Sequence, residues 1–204
     1  MPDGGREKLI DILEHTSSFI GILERHFNEN KLLHKEITES MQAVFKQILE
    51  KSKDVADFDL LLHHRIQNLS ECLVEIFSAV SERIQNNVQF SRQAMEEVNR
   101  LFQRLRTLIE YCIAFLRTNR LSFLKVLDQH HREYKNFCNT YTFDHNQRLA
   151  NGTCIPAASV VYLDIIHAFR GISSEATALV RLVSGLHDRD WWSPGSRSVL
   201  WANT

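Results

Sequence analysis

The stretch VYLDIIHAFRGISSEATALVRLVSGL, residues 161–186, decides the fold class. In it Tyr162, Ile165, Phe169, Ile172, Ala176, Leu179, Val183 and Leu186 follow one another at alternating steps of three and four. A helix turning every 3.6 residues gathers such positions into one apolar stripe. Alternating threes and fours form the seam of a helix packed lengthwise in a bundle. Ala94, Val98, Leu101, Leu105, Leu108, Cys112 and Phe115 repeat the pattern, and so, closely, do Leu62, Ile66, Leu69, Leu73, Ile76, Val80 and Ile84. Weaker stripes run from Leu9 to Phe27, from Leu33 to Leu49, and from Leu124 to Leu149, where Tyr134, Cys138 and Tyr141 share a face. The chain therefore reads as all-α, with six long helices.

The breaks between the stripes are short. Asn28-Glu29-Asn30 separates the first two helices and Ser52 to Asp57 the next two. Asn86-Asn87 precedes Ser91, whose hydroxyl can accept a bond from a free amide of the fourth helix's first turn. Asn119-Arg120 makes a joint before Ser122. Asn151-Gly152 ends the fifth helix, glycine supplying the left-handed conformation common at such ends. Pro156 opens the sixth, where a missing amide hydrogen costs little. Short links between long amphipathic helices imply antiparallel neighbours.

Composition narrows the function classes. Lys and Arg number 24 against 25 Asp and Glu, a net charge of −1, which removes the simplest case for nucleic-acid binding, a basic face with a raised pI. Only 7 Gly and 3 Pro interrupt the chain, in keeping with long helices. No run approaches the roughly 18 apolar residues that cross a bilayer, and no export signal opens the chain. Residues 1–6 read as a flexible leader, in keeping with a domain cut from a longer protein. Cys72, Cys112, Cys138 and Cys154 are widely spaced and read as reduced thiols, mostly buried, of a cytoplasmic protein.

Patterns that carry chemistry are missing. There is no phosphate-loop or dinucleotide glycine pattern and no Gly-x-Ser-x-Gly elbow. No Glu has a His three residues later, the pairing that di-iron bundles use. His63-His64 and His130-His131 diverge by about 100° around a helix axis. The 10 histidines accordingly read as solvated or capping side chains. No cofactor is expected.

The stretch His145-Asn146-Gln147-Arg148-Leu149-Ala150-Asn151-Gly152, followed by Pro156 and Val161-Tyr162-Leu163-Asp164-Ile165-Ile166, resembles the final hairpin of PhoU-like domains. Phe90-Ser91-Arg92-Gln93-Ala94-Met95-Glu96-Glu97 resembles the opening of the second repeat in the cytosolic PhoU-like part of sodium/phosphate cotransporters. The resemblance covers about residues 7–188 and implies two tandem antiparallel three-helix bundles, one near 7–88 and the other near 89–188. It further implies a non-catalytic role in phosphate uptake at the inner face of the membrane. The implied partner is a phosphate transporter, its membrane part or a sensor kinase, and a homodimer is a further expectation. A structural helical adaptor unrelated to phosphate, and an enzyme with a site composed between helices, are the competing readings.

The family's metal-binding signature places two carboxylates one turn apart, so that they share a helix face. Anchored on Leu163-Asp164, this chain has Arg170 and Ser174 at those positions, and the first repeat has Gln67 and Glu71. A guanidinium cannot ligate a cation, so no metal function is carried over. Arg170 either pairs with an acid such as Glu175 or Asp164, or makes an anion site, or the motif lies a position away. Residues 189–204 hold Trp191, Trp192 and Trp201, an apolar load unusual for a solvated tail. The tail either folds back on the bundle or docks a partner or a membrane surface.

Overall fold

The structure is a computed structural model and describes residues 3–30, 39, 42–44, 46–47, 50 and 60–185. Among these every regular element is helical and no strand occurs. Helix α1 spans Asp3–Glu29, and α2 is represented by residues 39, 42–44, 46, 47 and 50. Then come α3 at Leu60–Gln85, α4 at Arg92–Thr118, α5 at Leu121–Ala150 and α6 at Pro156–Ser184. The Ser52–Asp57 break and Trp191, Trp192 and Trp201 lie outside the described residues.

The predicted punctuation is borne out from Asn86 onward, whereas Asn28 and Glu29 still belong to α1. Ser91 caps α4, its Oγ accepting from the Ala94 amide at 3.2 Å. Asn30, Asn87 and Asn119 take positive φ at three breaks. At the end of α5, Gly152 has φ +69° while the Thr153 and Gly152 amides bond back to the carbonyls of Arg148 and Leu149. That crossed pair satisfies carbonyls which a helix end leaves open. Pro156 sits in the first turn of α6, and Gly185 closes that helix at φ +72°.

Two expectations need correction. Helix α1 starts at Asp3, so it takes in most of the six residues read as a leader. The first four amides of a helix have no intrahelical partner, so glycines there interrupt no backbone bond. The histidines are not all solvated: His26, His131 and His145 are buried. On α5 the buried positions run Leu124, Leu127, His131, Tyr134, Cys138, Tyr141 and His145. The two histidines thus continue the apolar seam, because position on the stripe rather than polarity sets burial.

Contacts between named side chains fix the helix directions. Glu14 meets Arg117, Glu24 meets Arg106 and Asn28 meets Asn99, so α1 runs antiparallel to α4. Arg65 meets Glu175 at 3.1 Å and Gly171 faces Cys72, so α3 runs antiparallel to α6. Phe102 lies edge-on to Phe169, and the Cys112 thiol reaches the Ala176 carbonyl, which makes α4 and α6 parallel. Helix α5 is antiparallel to both, through Tyr134 on Leu101 and through Asp128 on Arg181. Among the described residues the most extensive packing is α3 against α6, followed by α4 against α5 and α1. Helices α1 and α3 touch each other far less.

The close fit of α3 on α6 depends on Gly171. A Cβ there would stand 2.5 Å from the Cys72 sulfur, well inside contact distance. Overpacking of this kind costs about 1–3 kcal/mol, more than the gain of roughly 1 kcal/mol from replacing a mid-helix glycine. Gly171→Ala should therefore lower stability alone, yet be neutral or stabilising in a Cys72→Ala background. Urea unfolding of the four proteins in this cycle measures the coupling. Additive effects would show that the helices do not meet at this point.

His131 gives a pH dependence. Burial holds its imidazole down at about 4; Lys135, Arg181 and Arg132 add to the effect and Asp128 opposes it. Neither ring nitrogen has a hydrogen-bond partner among the described residues. An unfolded histidine titrates near 6.5, so between the two values the unfolded chain binds a proton that the folded chain refuses. Stability is whole above that upper value and falls toward the lower one, by about 3 kcal/mol from this group. His131→Leu should remove that share of the acid loss. Identical slopes for the two proteins between pH ~6.5 and ~4 would assign the loss to other groups.

Candidate functional site

The densest polar arrangement of the described chain is built around Glu97. The sequence places it one residue before Val98 on the α4 seam, and it is 6% exposed. A carboxylate so placed must be supplied with donors, since an unpaired buried charge costs several kcal/mol. Four reach it. Gln93 Nε2 donates to Oε1 at 3.0 Å, and Arg148 donates from Nη1 to Oε1 at 3.1 Å and from Nη2 to Oε2 at 2.9 Å. The Tyr162 hydroxyl makes a short bond to Oε2. The node thus joins α4, α5 and α6.

Its electrostatics follow from burial and pairing. Burial, then the Glu97 bond and charge, pushes the Tyr162 phenol up, so it remains a donor. Burial pulls Arg148 down, but its bonds and charge interaction with Glu97 outweigh this and the net shift is upward. His145 stacks on Tyr162 with ring centroids 4.3 Å apart. Burial, aided by Arg148 and opposed by Glu97, lowers its pKa, which favours neutral imidazole. A carboxylate taking four bonds has little left to offer a substrate, so Glu97 locks the helices rather than performing acid or base chemistry.

An arginine sandwich extends the node toward α1. Arg83 is buried, its guanidinium 4.3 Å from the Phe27 ring centroid and 5.1 Å from that of Phe90. It donates to the Phe27 carbonyl at 2.8 Å, satisfying an open carbonyl at the end of α1. Phe90 in turn lies edge-on to Tyr162. Above the node is a cavity of about 210 Å³, walled by Phe90, Ala94, His145, Cys154, Ala158 and Tyr162 among others.

The positions singled out as a degenerate metal motif lie elsewhere. Gln67 and Glu71 are exposed on α3, Arg170 is exposed on α6, and Ser174 beside it is half-buried. Glu175, offered as a partner for Arg170, is taken instead by Arg65 of α3. Among the described residues no three His, Cys, Asp or Glu side chains stand close enough to share a metal ion. Trp191, Trp192 and Trp201 fall outside the described residues, so their docking role stays an expectation.

The motif stretches were quoted for their likeness to a family, and the structure brings Phe90, Glu97, His145, Arg148 and Tyr162 from them into one place. Glu97 was not singled out as a site residue. An acid beside the α4 seam, four residues after Gln93, was the available signal. Comparison with protein-family profiles gives no match, and comparisons with curated proteins and with solved structures give none either.

If Glu97 holds the three helices together, removing it leaves the half-buried Arg148 without its counter-charge. Glu97→Ala should lower unfolding free energy by about 3–5 kcal/mol. Tyr162→Phe, which removes one donor and keeps the ring, should cost about 1–3 kcal/mol. Chemical denaturation reads both. A loss below about 1 kcal/mol for Glu97→Ala would mean that the pair behaves as a surface salt bridge.

Proposed function

We propose that the chain is a non-catalytic regulatory module of phosphate uptake, PhoU-like in architecture, working by contact with a phosphate transporter or its membrane part at the cytosolic face. The observation that carries the reading is convergence. Stretches 90–97, 145–152 and 161–166 are remote in sequence, yet they supply Phe90, Glu97, His145, Arg148 and Tyr162 to a single node.

The helix pairing supports the same architecture. Divided after residue 88, the chain yields α1–α3 and α4–α6. Helix α1 lies antiparallel on α4 and α3 on α6, so each packs on its counterpart in the other half. Two tandem three-helix repeats set side by side would pair in this way. Among the described residues no helix is long and apolar enough to cross a membrane. On the α5–α6 hairpin Phe143, Ile155 and Val160 are 61%, 62% and 60% exposed, and this reading takes them as the side chains that would make such contact with the transporter.

In cells that make the protein, its deletion should alter phosphate uptake. A photo-reactive residue at position 143 or 160 should cross-link to a phosphate transporter or to the membrane part of the same chain. Unaltered uptake together with no such adduct would reject the proposal.

A further inference from the structure

Helix α1 carries two stripes. Leu9, Ile12, Leu13, Phe19, Ile20 and Leu23 make the buried one. On the opposite side Glu7, Asp11, Glu14, Ser18, Gly21, Arg25 and Asn28 follow one another at alternating steps of four and three, and none of them is buried. That spacing is the seam of a helix that packs lengthwise on another helix. Here the seam is small at its middle and charged toward its ends. Between it and α4 runs a groove of about 410 Å³, with Ser17, Ser18, Gly21 and Ile22 along its middle and Glu14 and Arg25 at its ends. Arg106 and Ile113 of α4 form the other side.

Two features of this groove are unexplained within one copy of the chain. A Cβ at Gly21 would meet nothing within 4 Å, so no contact among the described residues needs a glycine there. Glycine in a helix interior is less favourable than alanine, and its use is to let another backbone come close. Arg25 is exposed and has neither a hydrogen bond nor an ion pair among the described residues. Glu14, at the other end, gives Oε1 to Arg117, and its Oε2 has no partner among the described residues.

The arrangement is complementary to itself. In a two-fold antiparallel pair of identical helices, residues equidistant from the axis face each other, and every contact occurs twice. An axis passing between positions 19 and 20 sets Ser18 opposite Gly21, Ser17 opposite Ile22 and Glu14 opposite Arg25. Small residues then meet where the helices cross, and opposite charges meet about one and a half turns to either side. A parallel pair in register would instead set Glu14 on Glu14 and Arg25 on Arg25. We propose that this face of α1 is the interface between two copies of the chain, each α1 lying antiparallel on the other and filling the groove beside α4. Glu14 Oε2 accepts from Arg25 of the second copy, at both ends. One helix pair is a small interface, so the dimer is a reversible one that depends on concentration. The interface rests on α1 and its groove, and it stands whether or not the chain acts in phosphate uptake.

Sedimentation velocity of the full chain over a concentration series should show a monomer–dimer equilibrium. Arg25→Glu and Glu14→Arg should each weaken the dimer by about tenfold or more, because like charges then meet at both ends. An equimolar mixture of the two variants should associate as the parent does, since every charge meets its opposite in the mixed pair. Gly21→Leu should abolish association and leave the circular dichroism unchanged. A chain that stays monomeric throughout would overturn the proposal, and so would a dimer that survives Arg25→Glu or Gly21→Leu, since it would use another face. Two variants that keep the parent's circular dichroism yet fail to associate when mixed would overturn it as well. Arg25→Glu alters an exposed side chain with no described partner, so it decides the matter even if Glu14→Arg, which also loses Arg117, folds poorly.

Discussion

A carboxylate buried at the junction of three helices is the constraint on which the rest of the structure depends. Glu97 cannot be left alone there, and the groups that satisfy it come from α4, α5 and α6. Apolar seams are tolerant of sliding, since one leucine stripe fits another in several registers. A carboxylate that needs Arg148 and Tyr162 together is met in only one register. The α5–α6 hairpin is then held at its other end by Asp128 and Arg181. Between these two ionic ends the seam residues have no freedom to shift by a turn.

The node reaches beyond the second half of the chain through aromatic contacts. Tyr162 touches Phe90, Phe90 covers Arg83, and Arg83 lies over Phe27 while donating to its carbonyl. Charge, ring face and carbonyl thus form a continuous path from α5 to α1. Two links in that path, Arg83 with Phe90 and with Phe27, set a guanidinium over the flat side of a ring. Such contacts are directional where leucine contacts are not, and this lets a small polar cluster set the geometry of a mostly aliphatic bundle.

Much of the fold was legible because helices announce themselves by period. The stripes on α3, α4 and α6, the cap at Ser91, the left-handed Gly152 and the Pro156 start all follow from local rules that hold whatever the helix packs against. Burial of His131 and His145 was misread because residue type was given more weight than position on the seam. Gly171 could not be read as a contact point, because nothing in one helix says which residue of another will face it. The same limit hid the node. Its members were quoted for their likeness to a family, but their meeting depends on α4 and α6 running parallel, which is a property of the assembled bundle.

The pairing of helices across the two halves bears on how the chain is made. Among the described residues helix α3 finds its most extensive cover in α6, the last described helix to leave a ribosome, and α1 finds its cover in α4. A stripe such as Leu62, Ile66, Leu69, Leu73 and Ile76 is therefore synthesised well before the surface that will shield it. Contacts between segments so distant in sequence must wait for loop closure, and they slow folding. During synthesis the nascent first half presents apolar faces to its surroundings, the condition under which chains aggregate or recruit a chaperone. An arrangement that gives the finished protein its interlocked halves makes the unfinished one dependent on protection.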